Sequence, residues 1–423
     1  MLPQPFEGLA ERLARAEQSF RADFPSDDVR RQPVHVVYGG AHLFKPDTAK
    51  KLGTLALQAL ETWAPDAPSF AKALDLGEAL AEQVRPRVVK KLQTEPVEDL
   101  RIDFEDGYGA RADAEEDGHA LAAGRAWSQA REKGLLPAFS GLRIKALTTE
   151  LAPRALRTLR LFLSGVGDAR ALLVTLPKVV TVEQALVLLD ALDSLGAKDT
   201  RIELMIEAPQ ALALLEPLRR ACGHRLHAVH LGLYDLTAAL DVSAADQTFQ
   251  HPVCDHARTQ LKLAFSGTRV FMSDGATTQF PVPVHRGEKL SEAQQRENRA
   301  AVHAAWRASA ADIRHSLRFG LYQGWDLHPA QLVARYGTVT AFYVQNLPAM
   351  SARLQNFTAQ LGQATLSGTS FDDAATGQGL LNFFLRGLGC GALDASDVQA
   401  TGLTAAELAT RSFAKIAAAR RGV

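Results

Sequence analysis

Three stretches of the chain end an apolar run in an acid. LRIDFEDGY (residues 100–108) carries Asp103, Glu105 and Asp106, IELMIEAP (202–209) ends with Glu207, and HLGLYDL (230–236) ends with Asp235. In an extended strand, Asp103 and Glu105 share one face while Ile102 and Phe104 take the other, so the carboxylates converge where the strand stops. Apolar strands that each deliver an acid at their C-terminal end describe a site for a hard divalent cation, because oxygen donors without His or Cys suit such an ion.

Presenting these acids together requires a particular scaffold. Strand patterns occur at residues 34–40, 100–108, 141–146, 171–179, 201–209, 228–236, 268–273 and 321–327. Helical patterns fall between them at 48–63, 70–92, 114–133, 151–164, 182–195, 211–220 and 291–319. Strand alternating with helix means parallel βα units. Eight such strands predict an α/β fold that closes into a (β/α)8 TIM barrel. A doubly wound sheet is the alternative, but it lacks the GxGxxG fingerprint.

Residues 3–31 predict a helix laid over the outside or bottom of the barrel. The long segment between the seventh and eighth strands is expected to act as a lid or a subunit contact. Beyond Pro329 no strand pattern recurs, and helices are predicted at 330–361, 373–388 and 405–420, the last opened by a Thr404-x-x-Glu407 capping box. The expected division is therefore a barrel with its N-terminal helix (1–330) and a C-terminal helical region (331–423) that serves as a lid or oligomer contact.

Side chains at the C-terminal ends of barrel strands point into the active-site mouth. By that rule the mouth holds Asp103, Glu105, Asp106, Arg143, Lys178, Glu207, Asp235 and His328, a set able to hold a divalent cation and an anionic substrate together. Plainer readings compete. Arg143 and Lys178 could be salt-bridge partners of the acids, Glu207 an acid favoured at the start of a helix, and His328 a surface histidine. Glu203, earlier in its strand, is expected to face a buried partner.

Composition narrows the function further. Lys plus Arg equals Asp plus Glu at 47 each, so no global field favours nucleic acid or a membrane, and small-molecule chemistry is expected. Cys222, Cys254 and Cys390 lack any paired spacing and are expected to be reduced core residues. With no leader pattern and no apolar run of about 18 residues, a cytoplasmic protein is expected.

The motifs LRIDFEDGYG, GLRIKA, LPKVV, IELMIEAPQAL, LGLYDLTAAL and GWDLHPAQL occur in order across residues 34–332. In this the chain resembles the aldolase/citrate-lyase superfamily, which includes citrate lyase beta subunits and malyl-coenzyme A lyases. The resemblance implies Mg²⁺, or Mn²⁺, on Glu207 and Asp235. It implies Arg143 holding a substrate carboxylate or enolate oxygen, Glu105 and Asp106 as an acidic pair near a metal-bound water, Lys178 at the LPK position and His328 as a substrate contact.

It also implies a homo-oligomer and a carbon-carbon lyase or aldolase acting through a metal-stabilised enolate. The substrate would be a small carboxylate or an acyl-coenzyme A, although no stretch identifies a coenzyme A site. A 2-oxo acid (pyruvate) aldolase and a noncatalytic carboxylate-binding barrel are the alternatives. In the superfamily a C-terminal segment can bring an aspartate to the reacting carbon. Asp373, beside Asp372 in SFDDAATGQGLL, is the matching acid here, with helix N-capping as the competing role.

Overall fold

A computed structural model describes residues 8–25, 30–359, 365–367, 370–372 and 374–421. Eight strands close a barrel in sequence order: β1 (His35–Gly40), β2 (Asp99–Asp103), β3 (Phe139–Arg143), β4 (Leu172–Leu176), β5 (Arg201–Ile206), β6 (Leu226–Leu231), β7 (Phe271–Ala276) and β8 (Gln323–Asp326). Every neighbouring pair is parallel, and β8 returns to β1 with His35 opposite Gly324. The predicted TIM barrel is the observed fold.

The outward residues of the strands, such as Leu100, Ile102, Val174 and Leu204, are buried beneath the surrounding helices. Inward positions carry charge. Arg101 lies wholly buried in the barrel, where it is ion-paired with Asp99, donates from Nε to Thr175 Oγ1 at 3.0 Å, and approaches Glu203 at 3.4 Å. Tyr38 and Thr175 donate to Glu203 at 3.0 and 2.8 Å, and Gln323 donates to Asp99 at 3.2 Å. Charges this deep are tolerated only when paired and hydrogen-bonded on all sides. Glu203 meets buried partners, as its early place in the strand predicts.

The strands are shorter than their apolar runs. β6 stops at Leu231, and the helix Leu233–Ala239 begins two residues later, so Asp235 belongs to the first turn of a helix instead of a strand end. The helix expected over 70–92 is two, Ala67–Leu74 and Glu78–Thr94, because Asp75 ends the first in a left-handed conformation at φ 56°. The helix expected over 211–220 is likewise divided, into Pro209–Ala213 and Leu215–Cys222. A further helix, Pro252–Phe265, opens with Pro at its first position and a His251 side-chain cap.

The helix Gln331–Ala359 leaves the barrel directly after β8. Arg335 ties it back, with Nη2 at 2.9 Å from Asp326 Oδ1. The expectation of no further strand is corrected by a small antiparallel hairpin, β9 (Thr365–Ser367) and β10 (Ser370–Asp372). Three-residue strands are too short to display a period. Helices Ala374–Gly389, Ala395–Gln399, Ala405–Ala409 and Phe413–Arg421 complete the region. The Thr404 box forms, the Glu407 amide donating to Thr404 Oγ1 at 3.1 Å and the Thr404 amide to Glu407 Oε2 at 2.8 Å. All three cysteines are buried and free, and no described helix is long and apolar enough to cross a membrane.

Candidate active site

The mouth of the barrel is assembled from the loops that follow β2 to β6. Asp103, the last residue of β2, organises the first of them. Its carboxylate accepts the backbone amides of Glu105 at 3.0 Å and Gly107 at 2.8 Å, which folds the acidic turn back over the strand end. Gly107 is required there, since a Cβ would lie 2.6 Å from Asp103 Oδ2. The same carboxylate receives Arg143 through Nε at 2.7 Å and Nη2 at 2.6 Å. Asp103 is thus fully engaged and fixes the guanidinium in place.

Arg143 keeps one corner for the mouth. Nη1 lies 2.9 Å from Glu105 Oε2 and 3.6 Å from Asp106 Oδ2, while the guanidinium carbon covers the rings of Tyr38 at 4.9 Å and Trp325 at 5.5 Å. Lys178 lies across from it, with its ammonium paired to Glu105 and 3.3 Å from Asp106. Burial works against the charge on Arg143 and Lys178. The carboxylates outweigh it, and both groups hold their protons above the ordinary range.

Glu207 follows β5 and is 4% exposed. Its Oε1 accepts the Lys178 backbone amide at 2.6 Å. Lys178 presents that amide from a left-handed conformation at φ 52°, which a residue with a Cβ rarely adopts. Gly232 closes the other side, where a Cβ would sit 2.5 Å from that of Glu207. Burial first, and Asp235 next, push the Glu207 pKa up to about 7.

Asp106, Arg143, Glu207, Asp235 and Trp325 line one cavity of about 160 Å³. Glu105 borders the same group through its contacts with Arg143 and Lys178. His328 stands apart. It lines a second cavity, of about 140 Å³, with Leu43, Phe44 and Tyr38, and stacks on Phe280 at 5.8 Å. Asp373 lies outside the described residues, and Asp372 belongs to β10 instead of a helix start. The salt-bridge reading of Arg143 with the acids is met at Asp103, which the sequence did not single out as its anchor, and Tyr38, Trp325 and Gly232 were passed over. The glycine between β6 and Asp235 was the one available signal, marking a close backbone approach.

The donor set can be tested against a magnesium-type ion. Among the described residues no group of three or more potential ligands is gathered. Such an ion needs only one or two carboxylates and completes its shell with water or substrate oxygens. Glu207 and Asp235 supply two, and burial first, with the neighbouring Asp235 carboxylate next, raises the affinity of Glu207 for a proton. The residues present fit the ion.

Solved structures share this (β/α)8 barrel. A citrate lyase from Burkholderia xenovorans LB400 superposes with a TM-score of 0.57, covering 90% of this chain and 100% of its own at 19% identity. The protein CitE from Mycobacterium tuberculosis, in complex with magnesium, acetoacetate and coenzyme A, gives 0.50 over 86% and 99% at 16% identity. At such identities the likeness is one of fold.

The chain itself belongs to the family described as Domain of unknown function (DUF6986), which matches residues 13–416. No curated protein matches it.

Proposed function

We propose that the protein is a Mg²⁺-dependent carbon-carbon lyase or aldolase acting on a small carboxylate-bearing substrate. The observation that carries this reading is Glu207, a buried carboxylate crowded by Asp235 at the edge of a cavity that also holds Arg143. Bound by Glu207 and Asp235, Mg²⁺ would supply Lewis-acid charge and a template for substrate oxygens.

The chain's own groups do the rest. Arg143, locked by Asp103, offers Nη1 to a substrate oxygen on which negative charge develops, a preorganised contact of the type that lowers barriers. Lys178 holds Glu105 and Asp106 in place at the rim. Glu105, whose Oε2 lies 2.9 Å from Arg143 Nη1 and whose pKa burial raises, is the carboxylate that would take or return a proton at the reacting carbon. Asp106, more exposed, opens to solvent and serves as the alternative carrier. The acetoacetate and coenzyme A bound by the M. tuberculosis protein support a carboxylate or acyl-thioester substrate.

The test is hydrogen exchange at carbon. In deuterated water with Mg²⁺, the α-hydrogens of acetyl-coenzyme A or of pyruvate are expected to exchange, as read by NMR, and exchange should vanish in Asp235→Asn. Exchange of the first favours the thioester substrate and of the second the 2-oxo acid aldolase. Binding of these ligands without any exchange would leave a noncatalytic barrel.

A further inference from the structure

At the opposite end of the barrel from the acidic mouth lies a cavity of about 210 Å³. Its walls are Lys262 and Phe265 of the helix Pro252–Phe265, the turn leading into β7, Gly320 ahead of β8, and Asn382 and Arg386 of the helix Ala374–Gly389. Among its described lining residues there is no carboxylate. This is unexpected in a chain whose charges balance at 47 of each sign.

Lys262 Nζ turns inward to the Gly320 carbonyl at 3.4 Å, so close that a Cβ on Gly320 would lie 3.3 Å from it. Arg386 donates from Nη1 to Gln32 Oε1 at 3.1 Å, and its guanidinium covers the Tyr322 ring at 4.3 Å. Neither is ion-paired among the described residues. Both are half-buried, and Arg30 and Arg269 border the same space. Burial, and then the like charge of Arg386, lower the Lys262 pKa.

A long cation with no task extends its head to bulk water. Here Lys262 is drawn inward to one neutral carbonyl, in a cavity it shares with Arg386, an arrangement that added negative charge would favour. We propose that this cavity is a binding site for a phosphate group, either inorganic phosphate or the head of a phosphomonoester. Two cations and the Asn382 amide lining one cavity suit a small, multiply charged oxyanion. The volume lies below the roughly 300 Å³ at which pockets for drug-sized ligands begin. The bound group would bridge Lys262 on the barrel side to Arg386 on the C-terminal helices, securing that region to the barrel base.

The experiment is a thermal-shift titration of the full chain, without Mg²⁺, using inorganic phosphate and glycerol phosphate against chloride at matched ionic strength. We expect a saturable rise in melting temperature for the parent. In Lys262→Gln the phosphate Kd should weaken by about tenfold or more, the loss expected for one charge-assisted hydrogen bond. The ligand-free melting temperature of this variant should stay level or rise, since a repulsion has been removed. Arg386→Gln should likewise lose the phosphate response. Tighter binding of glycerol phosphate points to an organic phosphate as the natural ligand, and tighter binding of inorganic phosphate to the free ion. No phosphate-specific shift in the parent, an equal shift in Lys262→Gln, or a lowered ligand-free melting temperature in that variant would each overturn the assignment.

Discussion

Glu203 and Glu207 stand four residues apart along the same segment, both almost without exposure, yet their surroundings treat them in opposite ways. Around Glu203, burial is outweighed by Arg101 and by hydrogen bonds from Thr175 and Tyr38, and its pKa is lowered. Around Glu207, burial is reinforced by Asp235, and the backbone amide of Lys178 does not offset them. The inner layer of the barrel supplies partners for its own carboxylates. The mouth layer does so less fully, and what it lacks is positive charge beside a cavity. One residue type on one segment thus separates a group that holds the fold from a group that awaits a ligand.

The largest effect expected from this contrast is on stability. Glu203→Gln leaves Arg101 short of a counter-charge in the barrel core, and removing one partner of a buried pair costs about 3 to 5 kcal/mol. Glu207→Gln removes a carboxylate that burial already disfavours, so its stability should match or exceed the parent while Mg²⁺-dependent exchange is lost. Urea denaturation of both variants checks the pair, and equal losses of stability would dissolve the distinction.

Arg143 sits where the two layers meet, and Arg143→Lys should fail on both counts. An ammonium cannot reproduce the two-point grip on Asp103. The expected cost is about 2 to 3 kcal/mol of stability and on the order of 100-fold in exchange rate if Nη1 meets developing charge. A stability loss with an undiminished rate would show that Arg143 only balances the acids.

His230 sharpens the comparison through pH. It is fully buried against Tyr38 and Trp325, neither ring nitrogen has a hydrogen-bond partner among the described residues, and burial drops its pKa to about 4. The unfolded chain, with an ordinary value of about 6.5, takes up the proton first as pH falls. Its contribution is therefore fully present above about pH 6.5 and is lost toward pH 4, at up to about 1.4 kcal/mol per pH unit. Urea midpoints at pH 7 and pH 5 should differ less in His230→Gln than in the parent. The slope is the readout, because the substitution also changes packing, and an unchanged slope would place the acid sensitivity elsewhere, with His227 the next candidate.

Much of this was legible in the amino-acid order, and the failures have physical causes. The barrel could be read because burial on both sides of parallel strands writes long apolar runs, and because a strand end with an acid is conspicuous. Those runs overshoot the strands, however: Leu233 to Leu236 are as apolar as a strand but form a helix that also buries Leu233 and Leu236. The role of Asp103 was hidden because Arg143, its partner, stands forty residues away, and only closure of the barrel brings β2 beside β3. His328 looked equivalent to the other strand-end groups, but the left-out dimension was rotation about the barrel, which turns it toward Leu43 and Phe44. Asp75 interrupted a helix pattern through a single left-handed residue, a change that leaves hydrophobic spacing almost intact.

The smallest effect concerns Lys178, which serves the mouth twice, through its backbone amide to Glu207 and its ammonium to Glu105. Lys178→Gly separates these. The left-handed conformation costs a residue with a Cβ roughly 1 to 2 kcal/mol, a strain that glycine escapes at an entropic cost of about 0.5 to 1 kcal/mol. The lost ion pair involves a lysine side chain that is 38% exposed, so solvent screening limits its worth to about 1 kcal/mol at most. These terms nearly cancel, and the variant should unfold within about 1 kcal/mol of the parent. Its backbone amide still reaches Glu207, so Mg²⁺ affinity by calorimetry should persist, while the rate of exchange at carbon falls as Glu105 and Asp106 lose their anchor. Loss of Mg²⁺ affinity in Lys178→Gly would instead mean that the ammonium, and not the amide, sets the geometry of the Glu207 carboxylate.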